Sequence, residues 1–509
     1  MPAYRAGMAH LEAGRLDAAI ASLKEAHRRA PRDVGVLFAL SVAARRLGLT
    51  GTAKRLCLQV LELEPDRLEA LVTLANLHRA EGEAAAAIGL LKPAIERAPA
   101  TPELWLTIGH AVRETGDRTA ARSFYEEAAR LKPSYAEALG SLADLAADSR
   151  DHESALALYD RAVRHAKENA QLRLNRAVLL LHMGRLEEGW RDYDWRLKLP
   201  SKAIRWRHGL PRWDGRIHEK VRLLVTAEQG IGDELLFASL LPELEERLAD
   251  AKGRLLVACA PRLVPLFARS FPTASVGPYE VRETGGQVEG ACGWLAPGTA
   301  SHAIEMGSLP RLLRPSLADF PNPHAYLAAD AEERARWRAW LESLGPGPYV
   351  GLCWRSGKTG GLRAQQFAPP ELWAGAMAAR GACYVALQYD ADEAECDALA
   401  ALAGVPLHRP PGIDQKQELD RATGLVAALD RVVSAPTAVA CLAGGLGVPT
   451  AKVLFDKSWT ALGQPFEPFQ PACRVAGPAW TGDFADALSR AFAALPPRAD
   501  APPVPAKAG

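Results

Sequence analysis

The chain has 509 residues, about three times the ~100–200 residues of a typical single domain, so two or three separate cores are expected. Apolar residues make up 48% of the sequence and charged residues 24%, which is close to the average of globular proteins. A net charge of +1 gives no general attraction for nucleic acid or for an anionic membrane surface. Any partner must therefore be recognised by a specific site.

The eight cysteines are scattered along the chain, without a CxxC pair or a matching His/Cys spacing. This pattern predicts neither a zinc site nor a disulfide framework and favours a reducing cytosol. The first residues lack the apolar core of a signal peptide, and nowhere do about 18 apolar residues run together. We therefore expect a cytoplasmic protein without a membrane span.

The first two hundred residues repeat with a period of 34 residues. Prolines recur at Pro31, Pro65, Pro99 and Pro133, and glycines at Gly14, Gly48, Gly82 and Gly116. A column of small residues keeps the same period: Ala19, Ala53, Ala87, Ala121, Ala155 and Gly189. A bulkier column comprises Leu23, Cys57, Leu91, Tyr125, Tyr159 and Tyr193. Small residues let paired helices approach closely and glycine permits the turn between them, so the period predicts stacked helical hairpins.

These columns resemble the tetratricopeptide repeat over residues 1–200, in about six units. The fifth unit departs from the pattern, with Arg150 and Lys167 where glycine and proline are expected. The resemblance implies a superhelix whose concave face binds an extended protein segment. We therefore expect a protein partner on that face.

Four tryptophans surround the end of the array: Trp190, Trp195, Trp206 and Trp213. Burying each ring would contribute a few kcal/mol, so the connector over 201–219 is expected to fix the array against the next domain. A stacking platform for nucleic acid is the alternative, which the net charge disfavours.

After Lys220 short apolar runs alternate with helical patterns, which predicts an α/β fold with parallel sheets. We expect two Rossmann-like halves, 220–330 and 331–495, with a cleft between them. The segment from Thr273 to Pro323 is rich in glycine and proline and predicts loops, whereas Asp330 to Leu344 predicts a helix. The tail 496–509 is rich in proline and alanine and predicts disorder.

A strand, VRLLV, leads into the turn AEQGIGD and a helix with Leu236, Leu240, Leu244 and Leu248 on one stripe. Asp233 then lies in the first helical turn, where an acid satisfies free N–H groups. Gly230 and Gly232 make the turn tight, but the third glycine of a dinucleotide fingerprint is replaced by Leu235. On its own this pattern favours a capped helix over a catalytic acid.

Candidate ligand contacts follow three later strands. Arg355, Ser356 and Lys358 lie in the loop WRSGK, where fixed donors could hold phosphate oxygens, although a solvated loop is equally expected. Gln388 follows the strand CYVAL, before Asp390 and Asp392. This D-x-D has the form of a metal site, but a helix start is the simpler interpretation.

The third strand end is the turn Ser434, Ala435, Pro436, Thr437. Pro436 presets the first helical turn, and Thr437 adds a hydroxyl beside free backbone N–H groups. This combination is typical of an anion site. The alternative for the glycines that follow in this helix is tight packing alone.

Together, EQGIGDELLFASLLPEL, the WRSGK loop and SAPTAVACLAGGLGVP resemble the two-Rossmann (GT-B) glycosyltransferases related to lipopolysaccharide heptosyltransferases, over about 220–495. Joined to repeats, the chain resembles a bacterial group that includes flagellin-modifying glycosyltransferases. The resemblance implies that Asp233 is the base and Lys358 a phosphate contact. The acid and histidine of the relatives' Ser-x-Asp-Thr-x-x-x-His turn are replaced by Pro436 and Cys441.

The resemblance implies a metal-independent, inverting transfer of a sugar from a nucleotide-sugar donor to a Ser or Thr hydroxyl of a protein acceptor, flagellin being the candidate. Asp233 would be the base, with Glu228 and Glu234 in reserve. Donor contacts would come from Gly230, Gly232, Arg355, Ser356, Lys358, Gln388, Ser434 and Thr437. Two alternatives remain open: a scaffold or chaperone whose transferase domain is inactive, and a lipopolysaccharide-type sugar transferase.

Overall fold

The computed structural model describes residues 1–199, 204–228, 230–284, 287–320, 325–357, 367–454, 458–476 and 484–495. Lys358 and the tail 496–509 lie outside the described residues, as do positions 201–203 of the connector. None of the helices in the described ranges is long and apolar enough to cross a lipid bilayer.

Residues 1–199 form six antiparallel helix pairs followed by a 3-10 turn, Asp194–Lys198. The helices are α1 Pro2–Glu12, α2 Leu16–Arg29, α3 Val34–Arg46, α4 Thr50–Leu63, α5 Leu68–Ala80, α6 Ala84–Arg97, α7 Pro102–Glu114, α8 Arg118–Leu131, α9 Ala136–Asp148, α10 His152–His165, α11 Ala170–His182 and α12 Leu186–Tyr193. Small residues of the 34-residue period are fully buried between paired helices, as Ala53 and Ala121 show. The predicted helical array is therefore confirmed.

The turn glycines of the array have left-handed backbones, with φ of 70° at Gly14 and 93° at Gly116. The fifth unit keeps this conformation at Arg150, where φ is 61°. A side chain at positive φ costs energy that glycine does not incur. The turn geometry is thus imposed by the helix packing even where the preferred residue is missing.

The chain then enters a region of strands and helices. Its first part contains β1 Ile204–Trp206, β2 Arg222–Thr226, α13 Ile231–Phe237, α14 Leu241–Asp250, β3 Arg254–Cys259, α15 Val264–Ser270, β4 Ser275–Pro278, β5 Glu280–Thr284, β6 Gln287–Ala291, β7 His302–Glu305 and α16 Leu309–Leu313. Parallel strands in the order β4-β3-β2-β7 form one sheet, and β1-β6-β5 form a small second sheet.

Its second part contains α17 Ala331–Ser343, β8 Tyr349–Cys353, α18 Pro370–Ala378, β9 Cys383–Ala386, α19 Glu393–Ala403, β10 Leu407–His408, α20 Leu419–Ala428, β11 Arg431–Ser434, α21 Ala438–Gly445, β12 Thr450–Val453, β13 Phe466–Glu467, β14 Gln470–Ala476 and α22 Phe484–Phe492. The sheet order is β10-β9-β8-β11-β12-β14-β13, and of its described strands only β13 runs antiparallel to its neighbour. The predicted succession of a helical array and an α/β region is confirmed.

In both larger sheets the strand order reverses, between β2 and β7 in the first and between β8 and β11 in the second. The loops that leave the carboxyl ends of strands at such a reversal diverge to opposite faces and open a crevice, which is where ligands bind in doubly wound folds. The turn with Asp233 leaves β2, and the turns with Ser356 and Thr437 leave β8 and β11. The topology therefore directs all three turns to the crevices.

Two local expectations were wrong. The segment from Thr273 to Pro323 contains β4 to β7 rather than loops alone, because these four strands are short and carry too few apolar residues to show a period. The helix expected after Asp233 is divided, because a 3-10 turn at Ala238–Leu240 precedes α14, where Pro242 has no N–H to continue the ladder. The leucine stripe is nevertheless buried as expected, Leu240 and Leu244 included.

The array is packed against the α/β region through aromatic side chains. Trp190 in α12 is 1% exposed, and its Nε1 donates to the carbonyl of Arg314 at 3.0 Å. Its ring makes edge contacts with Trp459 and Phe469. Trp190 thus fixes the array on both parts of the α/β region, through Arg314 in the first part and Trp459 and Phe469 in the second, as the tryptophan cluster predicts. Trp206 instead belongs to β1, inside the segment expected to be only a connector.

Candidate active site

The turn after β2 presents Asp233 at the start of α13. The backbone N–H of Asp233 donates to the Gly230 carbonyl at 2.9 Å, and the Gly230 N–H donates to Oδ2 of Asp233 at 3.3 Å. A Cβ added at Gly232 would lie 3.6 Å from the Cα of Ala438, so the turn lies against the start of α21. The acid caps its helix and is held beside an element of the other sheet.

The loop after β8 divides the residues expected to bind phosphate. Ser356 lines a cavity that lies between the two larger sheets, whereas Arg355 does not. The Arg355 guanidinium is held by Asp390 at 2.8 Å and by Glu395, whose Oε1 lies 2.8 Å from Nε. Two carboxylates therefore already neutralise Arg355, and this geometry favours a role in shaping the loop.

Gln388 also holds this loop in place, through hydrogen bonds to its backbone. Its side chain is 3% exposed and does not line the cavity. Its Oε1 accepts from the backbone N–H of Trp354 at 3.1 Å and of Arg355 at 3.0 Å, and its Nε2 donates to Asp390 at 2.7 Å. Asp392 caps α19 by accepting from the Glu395 N–H at 2.8 Å, so the D-x-D is a helix start with an ion pair.

The turn after β11 places Thr437 as the N-cap of α21. Its hydroxyl lies 3.2 Å from Ser434 Oγ and 3.5 Å from Cys353 Sγ. Ser434 is fully buried and donates to the Ala435 carbonyl at 2.7 Å, so it orients the turn from inside, while Thr437 lines the cavity. The helix start offers backbone N–H groups, which favour an anion.

One cavity of about 890 Å³ joins these turns. Among the site residues predicted from the sequence, it is lined by Gly230, Gly232, Asp233, Ser356 and Thr437. Turns that are far apart in the chain are therefore brought to one space between the two larger sheets. Its size is in the range of pockets that enclose small organic ligands.

Among the described residues, three cationic side chains that sequence reasoning missed line the same cavity: Arg262, Lys416 and Lys452. Asp233 is the single acid among the described lining residues. Arg262 follows β3 in the 3-10 turn Pro261–Leu263, a strand end that the doubly wound rule could have identified. Lys416 lies in the long connection between β10 and α20 and has no local sequence signal. The excess of positive charge favours an anionic ligand.

Lys452 is the buried member of this set. Its side chain is 5% exposed, and its Nζ lies 2.6 Å from Oε1 of Glu467, which is fully buried. Burial alone would lower the pKa of Lys452, but the Glu467 carboxylate raises it well above its usual value. Lys452 therefore stays charged at the cavity wall.

The two reserve bases do not line the cavity. Glu228 is buried against Arg196 at the base of the array. Glu234 is 2% exposed and accepts from the Ala260 N–H at 2.8 Å and the Tyr279 hydroxyl at 3.0 Å. Burial raises the pKa of Glu234 to about 7. Asp233 is thus the acid of the three that faces the cavity.

Pro436 and Cys441, which replace the acid and histidine expected from the resemblance, both line the cavity. Burial raises the pKa of the Cys441 thiol to about 11, so it is neutral at physiological pH. At these two positions the cavity presents uncharged surface. Among the described lining residues, positive charge toward a ligand comes instead from Arg262 and Lys416, since Lys452 is paired with Glu467.

Comparison with known proteins identifies the array. The family model described as tetratricopeptide repeat matches residues 4–70, 72–136 and 141–190. The array is built of tetratricopeptide repeats. A thermophilic TPR protein of Thermus thermophilus is 26% identical, covering 35% of this chain and 98% of that protein, with a TM-score of 0.32. MamA of Desulfovibrio magneticus RS-1 is 20% identical, covering 32% and 92%, with a TM-score of 0.28.

A longer match exists with Protein FlbA of Caulobacter vibrioides, which is 37% identical over 308 residues. The match covers 60% of this chain and 51% of FlbA, so the chain spans about half the length of this relative. Because 308 residues exceed the length of the repeat array, the similarity to FlbA includes at least part of the chain beyond the repeats.

Proposed function

We propose that the chain is a GT-B-type glycosyltransferase that moves a sugar from a nucleotide-sugar donor to a Ser or Thr hydroxyl of a protein acceptor. The observation that supports the proposal most directly is the shared cavity of Asp233, Ser356 and Thr437 with its excess of cations. A nucleotide sugar is anionic at its phosphates and uncharged at its sugar, which suits a space with cations and one acid. The tetratricopeptide repeats support a protein as the acceptor, and the family resemblance makes flagellin the candidate.

The donor phosphate would be held by the start of α21 at Thr437, by Ser356 and by the cations Arg262 and Lys416. Arg262 belongs to the first sheet's side of the cavity and Lys416 to the second, and the Arg262 guanidinium donates to the Lys416 carbonyl. The two sides of the cavity are therefore already joined at this point, where both cations could reach one phosphate. Lys358, in the adjoining loop, is expected to contribute a further contact.

The chemical step follows from this arrangement. The acceptor hydroxyl oxygen forms a bond to the anomeric carbon while the bond from that carbon to the donor phosphate oxygen breaks. The hydroxyl proton passes to the Asp233 carboxylate, and the nucleotide leaves with the bonding electron pair as an anion. The cations and helix start stabilise the charge that develops on the leaving phosphate.

Replacement of Asp233 tests the assignment of the base. Asp233→Asn keeps an oxygen to accept the Gly230 N–H, so the helix cap is retained, but it cannot take a proton. A lost general base costs about 10²–10⁴-fold in rate. Intact-mass measurement of a co-expressed acceptor would follow transfer, and an unchanged rate in the variant would remove Asp233 as the base.

A matched control is available at Asp330, which caps α17 by accepting from the N–H groups of Glu332 and Glu333 at 3.0 Å and does not line the cavity. Asp330→Asn should leave transfer unchanged. A panel of nucleotide sugars tests the donor class, because a ligand at about 100 times its Kd stabilises a protein by about 2.7 kcal/mol. A melting temperature that no nucleotide raises would favour the alternative, a scaffold with an inactive α/β region.

A further inference from the structure

The end of the repeat array, defined as residues 190–196, contacts two walls of the cavity. One contact reaches the chain that leads from β2 to Asp233, and the other reaches the 3-10 turn Trp459–Ala461. These walls belong to the two different larger sheets. Tyr193 belongs to the bulky column of the 34-residue period. Its contact with Trp459 and the contact of Arg196 with Glu228 nevertheless join the array to residues outside it.

The first contact is a buried ion pair. Arg196 and Glu228 have side chains that are 2% and 3% exposed. Nε of Arg196 lies 3.2 Å from Oε1 of Glu228, which also accepts from the Gly307 N–H at 3.0 Å. Glu228 stands shortly after the end of β2 and just before Gly230. Arg196 therefore holds the stem of the turn that carries Asp233.

The second contact is aromatic. The Trp459 ring lies 5.1 Å from the Tyr193 ring and 6.2 Å from the Trp190 ring, measured between centroids. Trp459 also lines the cavity and lies 6.5 Å from the ring of Phe237 in α13, the helix that begins beside Asp233. Trp459 thus contacts the array end, the cavity and α13.

We propose that the array end is a positioning element of the transfer site, with Arg196 and Tyr193 as its positioning residues. The inference rests on the proposed function for its catalytic consequence. Displacement of a catalytic group by about 1 Å can reduce a rate about 10²-fold, so the array does more than recruit an acceptor. It completes the geometry in which that acceptor reacts.

The test replaces the buried pair without leaving a lone buried charge, because a lone charge would destabilise the fold for unrelated reasons. The variant is Arg196→Met with Glu228→Gln, in which the glutamine oxygen still accepts the Gly307 N–H. Tyr193→Leu is a second variant, which removes the ring that contacts Trp459 and that also lies 4.4 Å from the Arg196 guanidinium. The control is Arg191→Met with Glu187→Gln, an ion pair of 3.0 Å in α12 whose side chains are 65% and 77% exposed.

Two readouts are measured on the full chain. Hydrogen exchange of residues 230–237 and 458–462 needs no ligand and should become at least tenfold faster in both test variants, with no change in the control. The kcat of transfer should fall at least tenfold, while KM for the protein acceptor changes less than threefold, as expected of positioning residues that do not bind the acceptor.

The outcomes separate the inference from the proposed function. Exchange that stays at the wild-type rate in both segments overturns the positioning role. A lowered melting temperature with unchanged kcat also overturns it, because the contacts would then be structural only. If wild type binds no nucleotide and transfers no sugar while exchange changes as expected, the proposed function fails and the attachment of the array end to both walls stands.

Discussion

Nζ of Lys452 lies 2.6 Å from Oε1 of Glu467, in a pair that is almost fully buried at the cavity wall. Ser458 Oγ donates to the same oxygen at 3.0 Å, whereas Oε2 of Glu467 has no hydrogen-bond partner among the described residues. Breaking a buried pair by removing one partner leaves an uncompensated charge, and replacing both partners by apolar groups need not destabilise the fold. A variant that lacks only Lys452 therefore tests the pair's effect on stability. A variant that lacks both residues tests its effect on ligand binding.

Lys452→Met alone should lower the free energy of unfolding by about 3–5 kcal/mol, as measured by urea denaturation. Adding Glu467→Leu should restore most of that loss, since no charge is then buried alone. Because the pair as a whole is neutral, a loss of anionic-ligand binding in the restored double variant would report hydrogen bonds from Lys452 to the ligand rather than net charge. A single variant as stable as wild type would contradict this account of the pair.

Arg262→Gln and Lys416→Gln should each weaken binding of a nucleotide sugar, as measured by calorimetric titration. A hydrogen bond to a charged group contributes about 1.5–3 kcal/mol, so a loss of about 10- to 100-fold is expected, and it should shrink as salt is added. Lys252→Gln is the control, because Lys252 is an exposed cation that does not line the cavity. Equal losses in all three variants would mean that only net charge matters.

Glu234 should make stability depend on pH. Burial raises its pKa from 4.5 to about 7, so the folded state binds this proton more tightly than the unfolded state does. The stabilisation is fully present below pH 4.5 and is lost as the pH rises to about 7. The full change is on the order of 3 kcal/mol.

The comparison variant is Glu234→Gln, which keeps an oxygen and an amide for Ala260 and Tyr279 but does not titrate. As the pH rises from 4.5 to about 7, the free energy of unfolding should decline less in the variant than in wild type. Above that window the variant should be the more stable protein. Parallel pH profiles for the two proteins would show that Glu234 does not titrate in this window.

Arg150→Gly should stabilise the array by up to about 1 kcal/mol, because the backbone there has a φ of 61° and glycine adopts positive φ without the Cβ penalty. Gly116→Ala, at a φ of 93° in the corresponding turn of the fourth unit, should destabilise by a similar amount. Thermal unfolding of the two variants would check the signs. A destabilising Arg150→Gly would mean that contacts of the Arg150 side chain outweigh its backbone strain.

The period of the array was predictable from sequence because each unit packs only on its neighbours, so the same small and bulky residues recur at one spacing. The six helix pairs and the fully buried Ala53 and Ala121 follow from it. The alternation of apolar runs and helical patterns likewise predicted the α/β region, since a parallel strand buried on both faces is apolar throughout. Strands β4 to β7 were not predicted, because they are short and not uniformly apolar.

The candidate site was predictable in part. Asp233, Ser356 and Thr437 each follow a parallel strand, and the carboxyl ends of such strands open on one crevice. The same rule also selected Arg355 and Gln388. In the structure these two side chains form hydrogen bonds that hold the loop after β8 and do not face the cavity. Whether a side chain at a strand end faces a ligand or a neighbouring carboxylate depends on its rotamer and on partners distant in sequence.

By itself, then, the sequence determined the local and periodic features: the repeats, the order of array and α/β region, and the turns that carry polar groups. Tertiary structure alone decided which of these groups meet. Three contacts show this, because each joins residues from separate elements: Lys452 with Glu467, Arg262 with Lys416, and Arg196 with Glu228. Such contacts have no sequence period, because they arise from the packing of whole sheets and helices rather than from the spacing of residues along one element.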